Sequence, residues 1–235
     1  MKNNICIIPA RGGSKRIPRK NIKEFLGKPI IEYSIQAALK SNLFDMVLVS
    51  TDDEEIANVS KNIGAEVPFL RSNENSNDFA TTIDVLKEVV NKLGASNQIF
   101  ESICCLYPTA PFVSSKKLIE SFECFRTNNY DSLLPIMRFN YPIQRSLKLT
   151  PDGKTSYQYS EFHQTRSQDL EEYYHDSGQF YWLKPTVLTE PSIITLNTGS
   201  IILSELEGQD IDNEVDWKLA ELKYELLQSI KNTNF

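Results

Sequence analysis

Cysteine, histidine and long apolar runs are all scarce in this chain, and each scarcity removes a class of chemistry. There are four cysteines, Cys6, Cys104, Cys105 and Cys124, with no C-x-x-C pair. That spacing disfavours a zinc site or a disulfide frame and reads as buried reduced thiols. The two histidines, His163 and His175, have no serine or cysteine placed to complete a hydrolase triad, and both read as structural. No apolar stretch approaches the roughly 20 residues that cross a bilayer. The N-terminal Ile-Cys-Ile-Ile run is too short for a secretory leader, so the expected location is cytoplasmic. Net charge is −6, which argues against a role in coating nucleic acid. Neither G-x-x-x-x-G-K-[ST] nor G-x-G-x-x-G occurs, so ordinary P-loop and dinucleotide sites are disfavoured.

Against this acidic background one segment is strongly basic. Residues 8 to 21 read Ile-Pro-Ala-Arg-Gly-Gly-Ser-Lys-Arg-Ile-Pro-Arg-Lys-Asn, directly after an apolar strand signal at Ile5–Ile8. Gly12 and Gly13 let the backbone pass close to a ligand, and consecutive N–H groups in such a turn can cradle an anion. Arg11, Lys15, Arg16, Arg19 and Lys20 surround that turn, and no acid lies between Ile5 and Lys23. Forked guanidinium and point-charge ammonium groups together suit a triphosphate. The same residues could equally form a solvated turn, but loops after the strands of an α/β sheet are where ligand crevices form.

The first 137 residues alternate strand and helix signals. Strands are expected at Ile5–Pro9, Val47–Val49, Val67–Leu70, Ser102–Tyr107 and Leu133–Met137. Helices are expected to open at Pro29, after Asp52 or Asp53, along Ile83–Leu93 and around Leu118–Phe125, with Gly64 and Gly94 as stops. This alternation predicts an α/β domain with a mostly parallel, Rossmann-like sheet flanked by helices. From 138 to 175 the composition turns to Tyr, Gln, Ser and Thr, with a Pro-Asp-Gly hairpin signal at 151–153. That region reads as an antiparallel excursion from a single domain spanning 1–235. Core strands resume at Gly178–Leu183 and Gly199–Leu203. A final helix follows at Val215–Ile230, with Trp217, Ala220, Tyr224 and Leu227 on one face.

Asp210 and Asp212 precede that helix and, along an extended segment, share one side. Two carboxylates plus substrate phosphates are a usual magnesium environment. Asp212 or Asn213 capping the helix beside a solvated Asp210 is the other reading. Arg71, after the Val67–Leu70 signal, suits either a base or sugar contact or a plain surface. Arg166, Gln168 and Asp169 beside Tyr173-Tyr174-His175-Asp176 suit a polyhydroxylated acid, or a hairpin surface.

Taken together these segments resemble the acylneuraminate cytidylyltransferase family, whose members make CMP-activated sialic acids. The resemblance rests on the loop Ile8–Asn21, Val49-Ser-Thr-Asp52, Leu70-Arg71, Tyr107-Pro-Thr-Ala-Pro111 and Asp210-Ile-Asp212, in that order. Its pseudaminate branch is the nearer, on Ile17–Ile22, Asp78-Phe-Ala-Thr-Thr82, Tyr141-Pro-Ile-Gln-Arg145, Arg166–Leu170 and His175–Trp182. Sialate-activating members carry Gln where Tyr107 stands.

The resemblance implies a glycosyltransferase-A-like fold and transfer of CMP from CTP to the anomeric hydroxyl of a nine-carbon sugar acid. That acid would be pseudaminate, with legionaminate or N-acetylneuraminate as alternatives. It implies nucleotide contacts from Arg11, Gly12, Gly13, Ser14, Lys15, Lys20, Asn21, Arg71, Ala80 and Thr81. Tyr107, Arg166, Gln168, Gln179 and Tyr181 are implied near the sugar, and Asp210 and Asp212 as ligands of Mg2+. Lys20 and the two aspartates are the implied catalytic set. It also implies a homodimer built on the excursion. A nucleotide-binding module without catalysis is the different-class alternative; it has little need of an Asp pair beside a triphosphate loop.

Overall fold

The computed structural model describes residues 3–233. The first strand, β1 (Asn4–Pro9), leads into the basic loop, a small ribbon of β2 (Glu24–Phe25) and β3 (Lys28–Pro29), and helix α1 (Ile30–Ser41). Then follow β4 (Met46–Ser50), α2 (Glu54–Ile63), α3 (Thr82–Gly94), β5 (Ser102–Leu106), α4 (Ser115–Thr127) and β6 (Ser132–Arg138). The hairpin β7 (Leu147–Leu149) and β8 (Thr155–Tyr157) stands apart as its own ribbon. The chain returns through β9 (Tyr174–Asp176), β10 (Phe180–Leu183) and β11 (Thr198–Leu203), and ends on α5 (Glu214–Thr233).

The main sheet runs β11-β6-β10-β5-β1-β4, with β9 on the far part of β6. Strands β4, β1, β5, β6 and β11 point one way; β9 and β10 oppose them. β10 is wedged antiparallel between β5 and β6 because the chain comes back down along β6 after the excursion, broken only at 177–179. Both faces of β1 are buried, as in sheets covered on two sides. Cys6 and Ile8 pack with Ile31, Ile35, Ile56 and Leu118 from α1, α2 and α4. Ile5 and Ile7 pack with Leu86 and Val89 of α3. Cys6, Cys104 and Cys105 are buried free thiols; Cys124 is half-buried on α4. No helix among the described residues is long and apolar enough to cross a membrane.

Three local expectations change. Val67–Leu70 is not a strand: a single parallel bridge, Leu48 to Glu66, is all the sheet edge gains, and Pro68 offers no N–H to continue it. Pro29 is the residue before the first turn of α1 rather than inside it. Gly94 is the last residue of α3, and Ala95 rather than a glycine is its cap. α2 does end on Gly64, whose φ of 113° suits a residue without Cβ.

Candidate active site

Because β1, β4 and β5 are parallel, the loops after them open at one edge of the sheet. This edge is where open α/β sheets place ligands. The basic loop is fastened there by acids and amides of its own neighbourhood. The Asp52 carboxylate accepts from the Gly12 N–H at 2.9 Å. Asn21, itself buried, donates its side-chain amide to the Arg11 carbonyl at 2.9 Å. Asp53 caps α2 by accepting from the Ile56 N–H at 3.0 Å and also accepts from Arg19 Nη1 and Nη2, at 2.5 and 2.9 Å. Arg19 hydrogen-bonds Glu55 as well.

The sequence expectation is refined in two ways. The Gly12 N–H is committed to Asp52, so the turn is not an open row of amides facing a ligand. Arg19 is a clamp on Asp53 and Glu55 at the start of α2 and does not line the hollow that the other cations share. Gly12 itself is required by space, since a Cβ there would sit 2.8 Å from an Asp53 carboxylate oxygen; at Gly13 nothing lies within 4 Å.

The remaining cations converge. Arg11, Ser14, Lys15, Arg16, Lys20 and Asn21 line a hollow of about 490 Å³ together with Asp78, Tyr107, Pro108, Thr109 and Asp212. Asp78 bridges Arg11 at 2.7 Å and Lys15 at 2.5 Å, and these cations hold its carboxyl below the usual range. The sequence alone gives Asp78 no role, because no local pattern says which cations, more than 60 positions away, an acid will meet.

Lys20 sits at the back. Its ammonium donates to the Ile211 carbonyl at 2.8 Å. Burial lowers its pKa, and the nearby carboxylates Asp212 and Asp210 oppose that fall. Asp212 pairs with Arg16 at 2.8 Å. It is not the helix cap: Asn213 accepts from the Val215 and Asp216 N–H groups at 2.8 and 3.1 Å. Asp216 in turn accepts from the Asp212 and Asn213 N–H groups, which fixes the approach to α5. Buried Ile211 and Trp217 anchor this turn beside Ile17 and Phe25 of the loop region.

A second hollow, about 640 Å³, lies on the other side of the Asp-Ile-Asp segment and is lined by Arg138, Tyr141, His175, Asp176, Ser177, Asp210 and Lys223 among others. Ser177 is buried there and its hydroxyl has no hydrogen-bond partner among the described residues. Tyr107 and Tyr181 meet edge to face, centroids 5.6 Å apart. The Tyr181 hydroxyl donates to Asp176 at 2.7 Å, while Tyr107 shares a 2.9 Å bond with Thr82. Burial raises the pKa of both phenols. Tyr107, which lines the first hollow, therefore connects through Tyr181 to Asp176, which lines the second.

Other expected residues stand differently. Arg71 is buried, not on the surface, with its guanidinium on Ser50 at the end of β4. Thr81 caps α3 in a box with Asp84, and Ala80 is held through its N–H by Asn77 at 3.0 Å. Gln179 is buried and donates to the Glu207 carbonyl at 2.7 Å, so its amide nitrogen holds the loop before Asp210 rather than facing a hollow. Arg166 and Gln168 are exposed on the excursion; Arg166 pairs with Asp169 at 2.7 Å, and neither lines the two hollows. Among the described residues no group of three or more His, Cys, Asp or Glu side chains could hold a metal. A cation here would need the Asp pair plus ligand oxygens.

The model of the cytidylyltransferase family matches residues 5–188. The chain belongs to the cytidylyltransferase family. A Campylobacter jejuni relative named pseudaminic acid cytidylyltransferase is 43% identical over 225 residues, 95% of this chain and 97% of that protein. A Legionella pneumophila relative named CMP-N,N'-diacetyllegionaminic acid synthase is 32% identical, again over 95% of this chain and 97% of its own length. The fold is shared with a CMP:2-keto-3-deoxy-manno-octonic acid synthetase solved with CTP, at a TM-score of 0.68 and 18% identity over 96% of this chain and 99% of that one.

Proposed function

We propose that this enzyme is a pseudaminic acid cytidylyltransferase. The anomeric hydroxyl of the sugar acid attacks the α-phosphate of CTP. A new P–O bond forms, the α–β bridge bond breaks, pyrophosphate leaves with that electron pair, and the hydroxyl proton passes to solvent. The observation that carries this reading is the convergence of Arg11, Lys15, Arg16, Lys20 and Asp212 on one hollow at the carboxyl edge of the sheet. The greater likeness to the pseudaminate-named relative than to the legionaminate-named one supports the choice of sugar.

Phosphoryl transfer is chiefly positioning and stabilisation of spread negative charge. Arg11, Lys15 and Lys20 would hold the triphosphate, with Arg71 and the Ala80–Thr81 turn toward the base. The sugar acid would occupy the second hollow, where the buried Ser177 hydroxyl lacks a partner among the described residues. The Asp-Ile-Asp segment then forms the wall between the two reactants. Asp212 lines the triphosphate hollow while Asp210 lines the second one, so the two do not share one side as expected. Both act on the Lys20 ammonium, and as hard oxygen donors at the boundary they would hold Mg2+ together with phosphate oxygens. The ion would supply charge neutralisation when bound. The excursion is proposed to pack on a second copy, which would bring Arg166 and Gln168 to a sugar site and cover the exposed Leu147, Leu149 and Tyr157. The expected compartment is the cytoplasm.

The test is direct. Incubate the protein with CTP, Mg2+ and, separately, pseudaminate, legionaminate and N-acetylneuraminate, and follow pyrophosphate. Release with pseudaminate at the highest kcat/KM is expected. Release with none of the three overturns the reading, and a preference for another acid overturns the sugar assignment.

A further inference from the structure

Helix α5 is apolar on two sides. Trp217, Ala220, Tyr224 and Leu227 pack on the body of the chain. On the other side Val215, Leu219, Leu222, Leu226 and Ile230 remain between 41% and 68% exposed. The first four follow steps of four, three and four, the seam of a coiled coil rather than scattered surface apolars.

We propose that this outer face of α5 pairs antiparallel with the same helix of a second copy, across a two-fold axis near Ala220–Glu221. The apolar pattern is self-complementary about that point. Leu219 then lies opposite Leu222 of the second copy, and Val215 opposite Leu226, each contact occurring twice. Such a contact is isologous and closes on itself.

The charges beside the stripe favour the same register. Lys218 and Glu225 flank one border, and the antiparallel arrangement sets each Lys218 beside Glu225 of the second copy. A parallel arrangement would instead set Lys218 against Lys223, a like-charge contact. Lys218 makes only an exposed 3.2 Å pair with Glu221 in its own chain, and no ion pair of Glu225 is found among the described residues. On the opposite border Asp216 is held by the N–H groups of Asp212 and Asn213, and Lys223 by the Gly208 carbonyl at 3.1 Å. Register selection therefore falls to Lys218 and Glu225. None of these residues belongs to the excursion, and reversing the Lys218 and Glu225 charges separates pairing of α5 with itself from packing of a partner's excursion on α5.

Native mass by light scattering and sedimentation across a dilution series tests it, with thermal midpoint as the folding control. Leu222→Asp, on an exposed position, should halve the mass, and its midpoint should match that of the wild type diluted below the dissociation constant of the contact. K218E and E225K should each raise the dissociation constant of this contact by about tenfold. The K218E/E225K double variant should return it to within a few fold of the wild type, because the reversed pair attracts again. An unchanged mass for Leu222→Asp overturns the proposal. So does a double variant no tighter than the single ones, which would mean that another surface covers the stripe.

Discussion

Lys20 and Ile211 stand 191 positions apart in the chain, yet the Lys20 ammonium donates to the Ile211 carbonyl at 2.8 Å. That bond ties the basic loop after β1 to the Asp-Ile-Asp segment before α5. It also sets the cation between two carboxylates, whose attraction opposes the loss of charge that burial favours. Lys20→Ala should therefore lose both the charge and the tie, lowering kcat/KM by about 10²-fold or more. Lys20→Arg keeps charge but not shape in a half-buried slot, and should recover only part. Steady-state pyrophosphate release measures both; a Lys20→Ala enzyme within threefold of wild type would remove Lys20 from the mechanism.

Neighbouring residues before α5 divide two jobs, and substitution should separate them. Asp212→Asn should abolish turnover at ordinary magnesium while the thermal midpoint holds, because Asn213 and Asp216 make the helix-start bonds. Asn213→Ala should do the reverse, costing about 1 kcal/mol of stability as a lost cap and leaving the magnesium dependence of the rate in place. Magnesium titrations beside thermal melts check the pair.

The two loop glycines should behave unequally. Gly12→Ala pushes a methyl to 2.8 Å from the Asp53 carboxylate and must displace either Asp53 or the loop. A weaker CTP interaction and a lower thermal midpoint are expected. Gly13→Ala meets nothing within 4 Å, and the free protein should keep its stability. Calorimetric titration with CTP, in the absence of sugar, distinguishes them.

The sequence carries the sheet well where periodicity is local. β1, β4, β5 and β6 come from short apolar runs buried on both faces, and the Asp-Gly hairpin from its turn residues. It misses what depends on long-range return. The antiparallel setting of β10 follows from the path of the chain after the excursion, which Phe180–Leu183 does not encode. At the site the cluster of Arg11, Lys15, Lys20 and Asp212 is legible as a basic loop plus an Asp pair. Asp78 between Arg11 and Lys15, Asp52 on the Gly12 N–H and the Tyr181–Asp176 bond are not. Each of these unites residues from separate loops, and only packing decides which loops share an edge.

Asp53 gives the clearest pH prediction. Its bonds from Arg19, then the Ile56 N–H, outweigh the burial that would raise it and take its pKa from 3.8 to about 2. A carboxyl depressed in the folded state binds protons more readily when unfolded, so stability from it is full above pH 3.8 and falls as pH drops toward 2. Its side chain is 22% exposed, and solvent screening limits the contribution to roughly 1 kcal/mol. Asp53→Asn retains an acceptor for the Ile56 N–H but loses the charge facing Arg19. Its thermal midpoint should lie below that of the wild type at pH 7, and the gap should close between about pH 4 and pH 2. No gap at pH 7, or a gap that stays constant down to pH 2, would mean that the Asp53 charge facing Arg19 adds nothing to the fold.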